Sequence, residues 1–451
     1  MTRILLTVAM LMVLTTLCVG YPYFGGNPQR NGLIETTTSI TTKPNMTWHF
    51  DDPNGHSFVS NPVMSPELDT VYAASADGFV YGVNATTGEM LFEACVGTPP
   101  DFPGDPCGGV KFNVVPYGYL AIVPTSSAPS GITVVVLANV YSKPQQMVGL
   151  DGVTGDVLWR LKLRSEGDPT SWGDFLSLPS PAVDPLSGEP VILVWIKNAY
   201  VEHGMGADYT VVSAEDGSVV SATTYLTPQW RVFAPMTFDP SDGSVYTQFT
   251  NDTQPMCGRN GFQYMHCTGL GKYVFDGSDH MWNVTLQDAF TYRVIALDPT
   301  RNIVHTPGSQ QYAYAYTTAG RPQWKIMAAP STGAIYAPTV CPDGTVVYLN
   351  NEHEITGWSP SLTRPKKPIW TSMCNGDCPK QATVVSDGTL YLMEGNSIVA
   401  RSCSSGTELW SIYYGTGESF TNTVAVSPSG ALYATVYHGG IGGSIIKLSP
   451  S

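Results

Sequence analysis

From about Ser60 onward, short runs of alternating apolar and polar residues are separated by turn residues, and two signals recur through them. The first is a tight turn feeding a β-branched strand that usually carries tyrosine. Examples are Pro66-Glu-Leu-Asp-Thr-Val-Tyr72, Ser241-Asp-Gly-Ser-Val-Tyr246, Pro342-Asp-Gly-Thr-Val-Val-Tyr348, Ser386-Asp-Gly-Thr-Leu-Tyr391 and Pro428-Ser-Gly-Ala-Leu-Tyr433. Asp-Gly or Ser-Gly supplies the positive φ that a short hairpin requires, and the alternating run after it reads as strand. The second signal follows about twenty residues later: a turn glycine, three residues, then an aromatic. It is clear in Gly82-Val-Asn-Ala-Thr-Thr-Gly-Glu-Met-Leu-Phe92, Gly149-Leu-Asp-Gly-Val-Thr-Gly-Asp-Val-Leu-Trp159 and Ala400-Arg-Ser-Cys-Ser-Ser-Gly-Thr-Glu-Leu-Trp410. Weaker copies end at Trp282, Trp324 and Trp370, and the strand over 218–225 keeps the turn without the tryptophan.

Each pair of signals marks one four-stranded unit, and the chain ends one strand short. Gly443-Ser-Ile-Ile-Lys-Leu-Ser-Pro-Ser451 reads as the third strand of a unit, and the fourth stands near the start as Thr47-Trp48-His49-Phe50. A β-propeller closes in this way, its N-terminal strand completing the last blade and hiding two sheet edges at once. The sequence therefore predicts an all-β fold of eight four-stranded antiparallel blades, closed by the strand around Trp48, or seven if 291–327 contributes no blade. With the strands of a blade lettered A to D from the axis outward, the A–B and C–D turns lie on one face and the B–C and D–A loops on the other. The insertions, 198–207 in the third blade and 251–272 in the fourth, fall on the second face. Ligand sites of propellers sit where such loops surround the channel mouth.

The pattern Ala-x-Asp-x-x-Thr-Gly-x-x-x-Trp resembles the blade signature of pyrroloquinoline quinone (PQQ)-type repeats. These occur in quinoprotein alcohol dehydrogenases and in a bacterial outer-membrane assembly scaffold. Tyr23-Phe-Gly-Gly-Asn-Pro-Gln-Arg-Asn-Gly32 is similar to the opening of such propellers, and the resemblance covers nearly the whole mature chain. It implies that the tryptophan packs between blades while turn residues bond to the neighbour, a structural motif that carries fold and not function. Extended to chemistry, it implies PQQ under a disulfide of adjacent cysteines, a tryptophan beneath the quinone, calcium held by Glu and Asn, and an Asp base. No two cysteines here are adjacent in sequence, and no heme-attachment Cys-x-x-Cys-His occurs.

The rest of the composition sets the compartment. The 451 residues include 45 Gly and 35 Pro with only 13% charged residues, which suits a turn-rich all-β fold. Arg3, the apolar run from Ile4 to Leu17 and Cys18-Val19-Gly20 read as a secretory signal peptide over 1–20, leaving 21–451 as one propeller domain. The apolar run is short for a bilayer, which needs ~20 residues, and no other stretch reads as a membrane span. Cleavage removes Arg3 and no acid, so 21 basic residues face 36 acidic ones, a net charge of −15. Such a field repels phosphate backbones and argues against nucleic acid as a partner.

Eight cysteines remain in the mature chain, and an even number in an exported protein favours disulfides. Cys95 with Cys107, Cys257 with Cys267, and Cys374 with Cys378 are the natural close pairs. Cys341 and Cys403 end strands on the same face of adjacent blades, which leaves a bond between them open. Asn45, Asn84, Asn251 and Asn283 head Asn-x-Thr sequons that permit glycosylation. The eight histidines are scattered without a metalloprotease spacing. Asn351-Glu-His-Glu354 reads as a solvated B–C turn in preference to a cation site. Asp239-Pro-Ser-Asp-Gly243 is the repeat's own A–B hairpin, and Gly439-Gly-Ile-Gly-Gly443 is a B–C loop with no helix after it. The 24 Tyr and 10 Trp follow the strand register, as packing between blades would require.

The reading is a secreted binding or scaffolding propeller that offers its loop-rich face to an extracellular or cell-surface protein or glycan, with no catalytic residue and no cofactor assigned. The competing reading is a PQQ- and calcium-dependent dehydrogenase acting on alcohols or sugars.

Overall fold

Strands buried on both faces read as continuous apolar runs, and strands buried on one face alternate. Both patterns occur within each blade. Ile132–Ala138, a B strand, is buried throughout, whereas Glu408–Tyr413, a D strand, fully buries only Trp410. The computed structural model describes residues 27, 33–34, 38–96, 107, 120–138, 146–162, 179–198, 206–225, 230–232, 235–251, 267–289, 294–308, 311–329, 335–360, 365–379, 381–415, 418–420, 423–438 and 442–451. These residues form eight antiparallel sheets. Seven follow in sequence over 63–95, 120–162, 180–225, 230–289, 296–327, 339–373 and 383–413. The eighth joins 418–449 to Asn45–Asp51. Blade 5, over 296–327, settles the count at eight.

The innermost strands touch one another in order around the axis. Ala425–Val426 meets Val63–Ser65, and the series continues through Leu120–Pro124, Ser180–Val183, Thr237–Asp239, Ala296–Asp298 and Thr339–Val340 to Thr383–Val385. Threonine hydroxyls stitch this ring. Thr237, Thr339 and Thr383 each donate to a carbonyl just ahead of the next blade's A strand, on Ile295, Ala382 and Val424, at 2.9–3.1 Å.

Farther out, aromatics on most D strands reach across to the next blade. Trp159 donates its Nε1–H to the Ala214 carbonyl at 3.0 Å, and Trp48, Trp282 and Trp370 do the same to Ala85, Thr318 and Cys403. The ring lies against the neighbour's C–D turn at a glycine. A Cβ on Gly217, whose φ is +71°, would stand 2.5 Å from the Trp159 ring. Gly88, Gly155, Gly320 and Gly406 seat Trp48, Phe92, Trp282 and Trp370 in the same way. On its other side Trp159 lies over Gly149 of its own C strand, where a Cβ would come within 2.3 Å. The B-strand tyrosines add a second latch. Tyr72 and Tyr433 donate to Gly152 and Ala85 carbonyls of the following blade. Blade 3 has no tryptophan on its outer strand and uses Tyr209 of its C strand, packed on Gly277 and donating to the Phe275 carbonyl at 2.7 Å.

Closure follows the expected pairing, with Asn45 opposite Ser449 and Asp51 opposite Ser444. Because blade 8 takes its C and D strands from opposite ends of the chain, no C–D turn joins them. Ile40 supplies what that turn supplies elsewhere: its carbonyl accepts from Trp410 Nε1 at 2.7 Å and its N–H donates to the Tyr391 hydroxyl at 2.8 Å. Leu33–Ile34 adds a short parallel strand to the axial edge of Thr383–Val385, a pairing that no pattern in those residues announces.

The structure corrects the bounds of both insertions. Strands Pro190–Asn198 and Gly206–Ser213 flank the first, leaving only 199–205 between them, and Ser244–Asn251 and Cys267–Tyr273 flank the second, leaving 252–266. Lys272 is therefore a strand residue. It is buried and paired with Asp242 at 2.6 Å, which ties it to the A–B hairpin of its own blade. Alternation across residues 267–273 is weak, with two glycines among seven, which is why the strand was read as loop.

Three disulfides are described. Cys95–Cys107 and Cys374–Cys378 are short-range, and Cys341–Cys403 joins blade 6 to blade 7 across 62 residues. Cys257 and the side chain of Cys267 lie outside the described residues.

His305 is an exception inside this packing. It is 2% exposed, neither ring nitrogen has a hydrogen-bond partner, and the ring sits 5.6 Å from that of Trp324. Burial, with a smaller contribution from Arg301, pushes its pKa down to about 3.

Three outcomes follow from this packing. Gly217→Ala should destabilise the fold by ~2–4 kcal/mol, combining left-handed strain with overpacking. Gly131→Ala, at φ +77° with open space around it, should cost only the ~1–2 kcal/mol of backbone strain; equal losses in urea melts would mean that the tryptophan seat contributes nothing. Replacing Cys341 and Cys403 together by Ser should lower stability by about 4 kcal/mol, against about 2 for the Cys374–Cys378 pair, as loop length dictates. For His305, the unfolded chain binds a proton below pH ~6.5 and the folded chain only near 3, so stability should fall on acidification through that window by up to ~1.4 kcal/mol per pH unit. His305→Leu should flatten this part of the pH profile, and an unchanged profile would show that another group sets it.

Candidate functional site

The face that carries the B–C and D–A loops differs from the turn face in how its chain is held. In blades 4 and 8 the incoming segment pairs with the far end of the B strand before bending into the A strand. Trp230–Val232 and Thr237–Asp239 both pair with Ser244–Asn251, and Glu418–Phe420 and Ala425–Val426 both pair with Leu432–His438. Single bridges, Phe58 to Ser75 and Ile335 to Asn350, do the same in blades 1 and 6. The D–A loops are thereby drawn over the B–C loops, and polar side chains from two blades meet.

They meet most densely at the closing seam. The closing strand ends at Asp51, and Asp52 begins the D–A loop into blade 1, its N–H donating to the Gly443 carbonyl. Asp51 faces blade 8. Its Oδ1 accepts the Ser444 hydroxyl at 2.5 Å, and His438 Nε2 lies 2.5 Å from the same hydroxyl oxygen. With the serine proton directed to Asp51, His438 is the donor. A nucleophilic triad places the histidine between serine and acid so that it can take the hydroxyl proton. Here the serine is in the middle and 1% exposed, so the chain of three orders the seam and does not activate Ser444.

Asp52 faces blade 1. Its carboxylate accepts from the Ser75 hydroxyl, from Asn54 N–H at 2.7 Å and from the Tyr81 hydroxyl at 3.3 Å. Asp77, on the B–C turn of blade 1, accepts Phe79 N–H at 3.2 Å through Oδ1 and Asn54 Nδ2–H at 3.1 Å through Oδ2. His56 Nδ1 stands 3.4 Å from Asp77 Oδ2. Burial first, and then the charges of Asp77 and Asp52, raise the Tyr81 hydroxyl far above its ordinary value, so it remains a neutral donor between them. One ligating atom each from Asp52, His56 and Asp77 lies within 4.8 Å of the others. Sequence reading did not single out these three residues. Asp-x-x-x-His is a weak spacing by itself, and the second Asp stands on another blade.

The other candidates are placed separately. His353, at φ +66°, holds the Cys374–Cys378 loop through Nδ1 to the Gly376 carbonyl at 2.7 Å, while Glu354 accepts from Asn350. The 351–354 turn is thus a fastening between strands of blade 6. His49 and His280 stand on outer strands beside Asp51 and Asp279. His203 and His266, the loops over 199–205 and 252–266, and most of 23–32 and 439–443 lie outside the described residues. Asn45 and Asn283 are exposed on outer strands, and Asn84 Oδ1 caps the N–H groups of Thr86 and Thr87 in a C–D turn. Asn251 ends a B strand, its side chain outside the described residues.

The quinone site that the resemblance implies is not assembled among the described residues. The three disulfides lie at the end of an outer strand, between blades 6 and 7, and within one loop, and none joins adjacent cysteines. The tryptophans of the repeat are spent between blades, and the axial edge of blade 7 is covered by Leu33–Ile34.

The PQQ_2 family model, described as outer membrane protein assembly factor BamB, matches residues 309–451, the last third of the chain. No curated protein matches the chain by sequence. Among solved structures, a quinohemoprotein alcohol dehydrogenase from Comamonas testosteroni superposes with a TM-score of 0.66 at 12% identity, over 95% of this chain and 80% of its own. A europium-containing methanol dehydrogenase gives 0.66 at 12% identity over 96% and 98%. BamB from Moraxella catarrhalis gives 0.54 at 11% identity over 89% and 97%. Identities this low show a shared fold alone. The repeat, the closure and these likenesses agree that the chain is an eight-bladed β-propeller with the fold of these proteins, its last third matching the PQQ_2 model.

Proposed function

We propose that this chain is an exported binding propeller whose loop-rich face captures an extracellular or cell-surface protein or glycan. One observation carries the reading: the longest connections between strands, 96–119, 163–179 and 252–266, all join strand ends on that face. The opposite face is built mostly from short glycine turns, with Gly88, Gly155, Gly217, Gly243, Gly344, Gly388 and Gly406 all at positive φ, the 359–369 connection of blade 6 being longer. The loop-rich face receives the 199–205 and 252–266 segments and the polar seam at Asp51 and Asp52. A rigid ring with one variable face is the usual division of labour between scaffold and recognition loops. Export rests on the leader over 1–20, on the three disulfides, which persist in oxidising compartments, and on the exposed sequons at Asn45 and Asn283. No helix among the described residues is long and apolar enough to cross a membrane.

The test uses the secreted mature chain. Replacing 252–266 by a two-residue Asn-Gly turn, with Cys267→Ser to avoid an unpaired thiol, keeps the two strands connected and should abolish capture from the surface of the secreting cells while the melting temperature stays within a few degrees. Undiminished capture would overturn this placement. A parallel melt with PQQ, with and without calcium, separates the enzymatic reading: no shift is expected, and a calcium-dependent rise would favour a dehydrogenase.

A further inference from the structure

We propose that Asp52, His56 and Asp77 bind one divalent transition-metal ion of the zinc class, which clamps the closing strand to blade 1. The inference does not depend on the binding role above.

Charge is the first argument. Asp52 is 6% exposed and the Asp77 side chain 4%, yet among the described residues no lysine or arginine reaches either carboxylate. Two carboxylates this close repel unless a cation lies between them. Among the described residues, the basic side chain beside them is His56, itself half-exposed.

Distance is the second. At 3.4 Å, His56 Nδ1 and Asp77 Oδ2 are farther apart than the ~2.9–3.0 Å of an ordinary N–H···O hydrogen bond. They are spaced as two ligands of one tetrahedral ion, whose bonds of about 2.0–2.1 Å put neighbouring ligand atoms about 3.3 Å apart. The Asp52 carboxylate is the third ligand, within 4.8 Å of both. Its remaining lone pairs and those of Asp77 are oriented by Ser75, Asn54 and Phe79, the outer shell that sets the direction of ligating carboxylates.

The donor set selects the ion. One imidazole nitrogen with two carboxylate oxygens suits zinc and its first-row neighbours, whereas calcium and magnesium take oxygen ligands. Three protein ligands leave a fourth position for water. Asp52 and His56 belong to the loop that leaves the closing strand, and Asp77 to a turn of the first blade. An ion bound there needs the loop and the turn in their folded positions, so it stabilises the folded state by mass action.

The experiment takes the untagged mature chain, strips it with EDTA, and measures bound metal after dialysis against zinc, manganese or calcium, together with the melting temperature. One zinc per chain and a zinc-dependent rise in melting temperature are expected. His56→Ala should weaken zinc binding at least tenfold with the metal-free melting temperature unchanged, because His56 is half-exposed. Asp77→Asn should act in the same direction, and His49→Ala, on the outer strand, should have no effect. Absence of bound zinc, or unchanged zinc affinity in His56→Ala, would overturn the site. A calcium response as large as that of zinc would overturn the choice of ion.

Discussion

An indole has two flat faces, and burying both requires flat partners on either side. In this ring the partners are glycines. Trp159 lies between Gly149 of its own blade and Gly217 of the next, and Trp370 between Gly357 and Gly406. The indole N–H then finds the carbonyl just ahead of the turn that seats it. Apolar burial, close approach and a satisfied donor all require the same absence of Cβ, so the aromatic and the neighbour's glycine act as one unit. A single four-stranded sheet cannot bury its own faces, and this unit lets each blade bury them against the next. Departures from the pattern keep its physics. Tyr209 replaces the missing tryptophan of blade 3 and still ends on a glycine, Gly277, and on a carbonyl, that of Phe275.

Ring closure poses the same problem without a turn to solve it. Where the chain termini meet, Trp410 and Tyr391 have no C–D turn to bond, and Ile40 fills the vacancy with its own carbonyl and N–H. The N-terminal segment is therefore more than a strand donor. Its Ile40 completes the contact between blades 7 and 8, and Leu33–Ile34 reaches the axial edge of blade 7. Cys341–Cys403 reinforces the neighbouring junction covalently.

The seam is also where unlike chemistry gathers. Successive residues of the closing segment, Asp51 and Asp52, serve opposite blades, one through Ser444 and His438 and the other through Ser75, Tyr81 and Asn54. Elsewhere a D–A loop joins two blades already fixed by a continuous chain. Here it must hold together the first and last blades of the ring, and a dense polar network suits that task. The fold is shared with dehydrogenases and with an assembly scaffold, so what distinguishes this chain lies in its loops.

Much of the architecture was legible in the sequence because its determinants are local. Asp-Gly and Ser-Gly turns, the alternation after them and the spaced tryptophans each report on a few neighbouring residues, and together they give the four-stranded blade, a ring of eight or seven of them, and the closing strand around Trp48. The short-range cysteine pairs Cys95–Cys107 and Cys374–Cys378 were legible for the same reason. Pairings between distant residues were not. Ile40 in place of a turn, Tyr209 in place of a tryptophan, and Asp52 with His56 and Asp77 each bring together separate segments, and alternation has no term for the distance between them; Cys341 with Cys403 was legible in part, because the repeat register places both at strand ends on one face of adjacent blades and left the bond open. The strand at Cys267–Tyr273 was missed because its glycines break the period, although its neighbours hold it in the sheet. Sequence alone determined the repeating unit and narrowed its number to eight or seven, since those are written in turns and periodicity, and the blade over 296–327 decided for eight. Tertiary structure alone decided which polar side chains meet, because closing the ring brings residues from its first and last blades to within hydrogen-bond range.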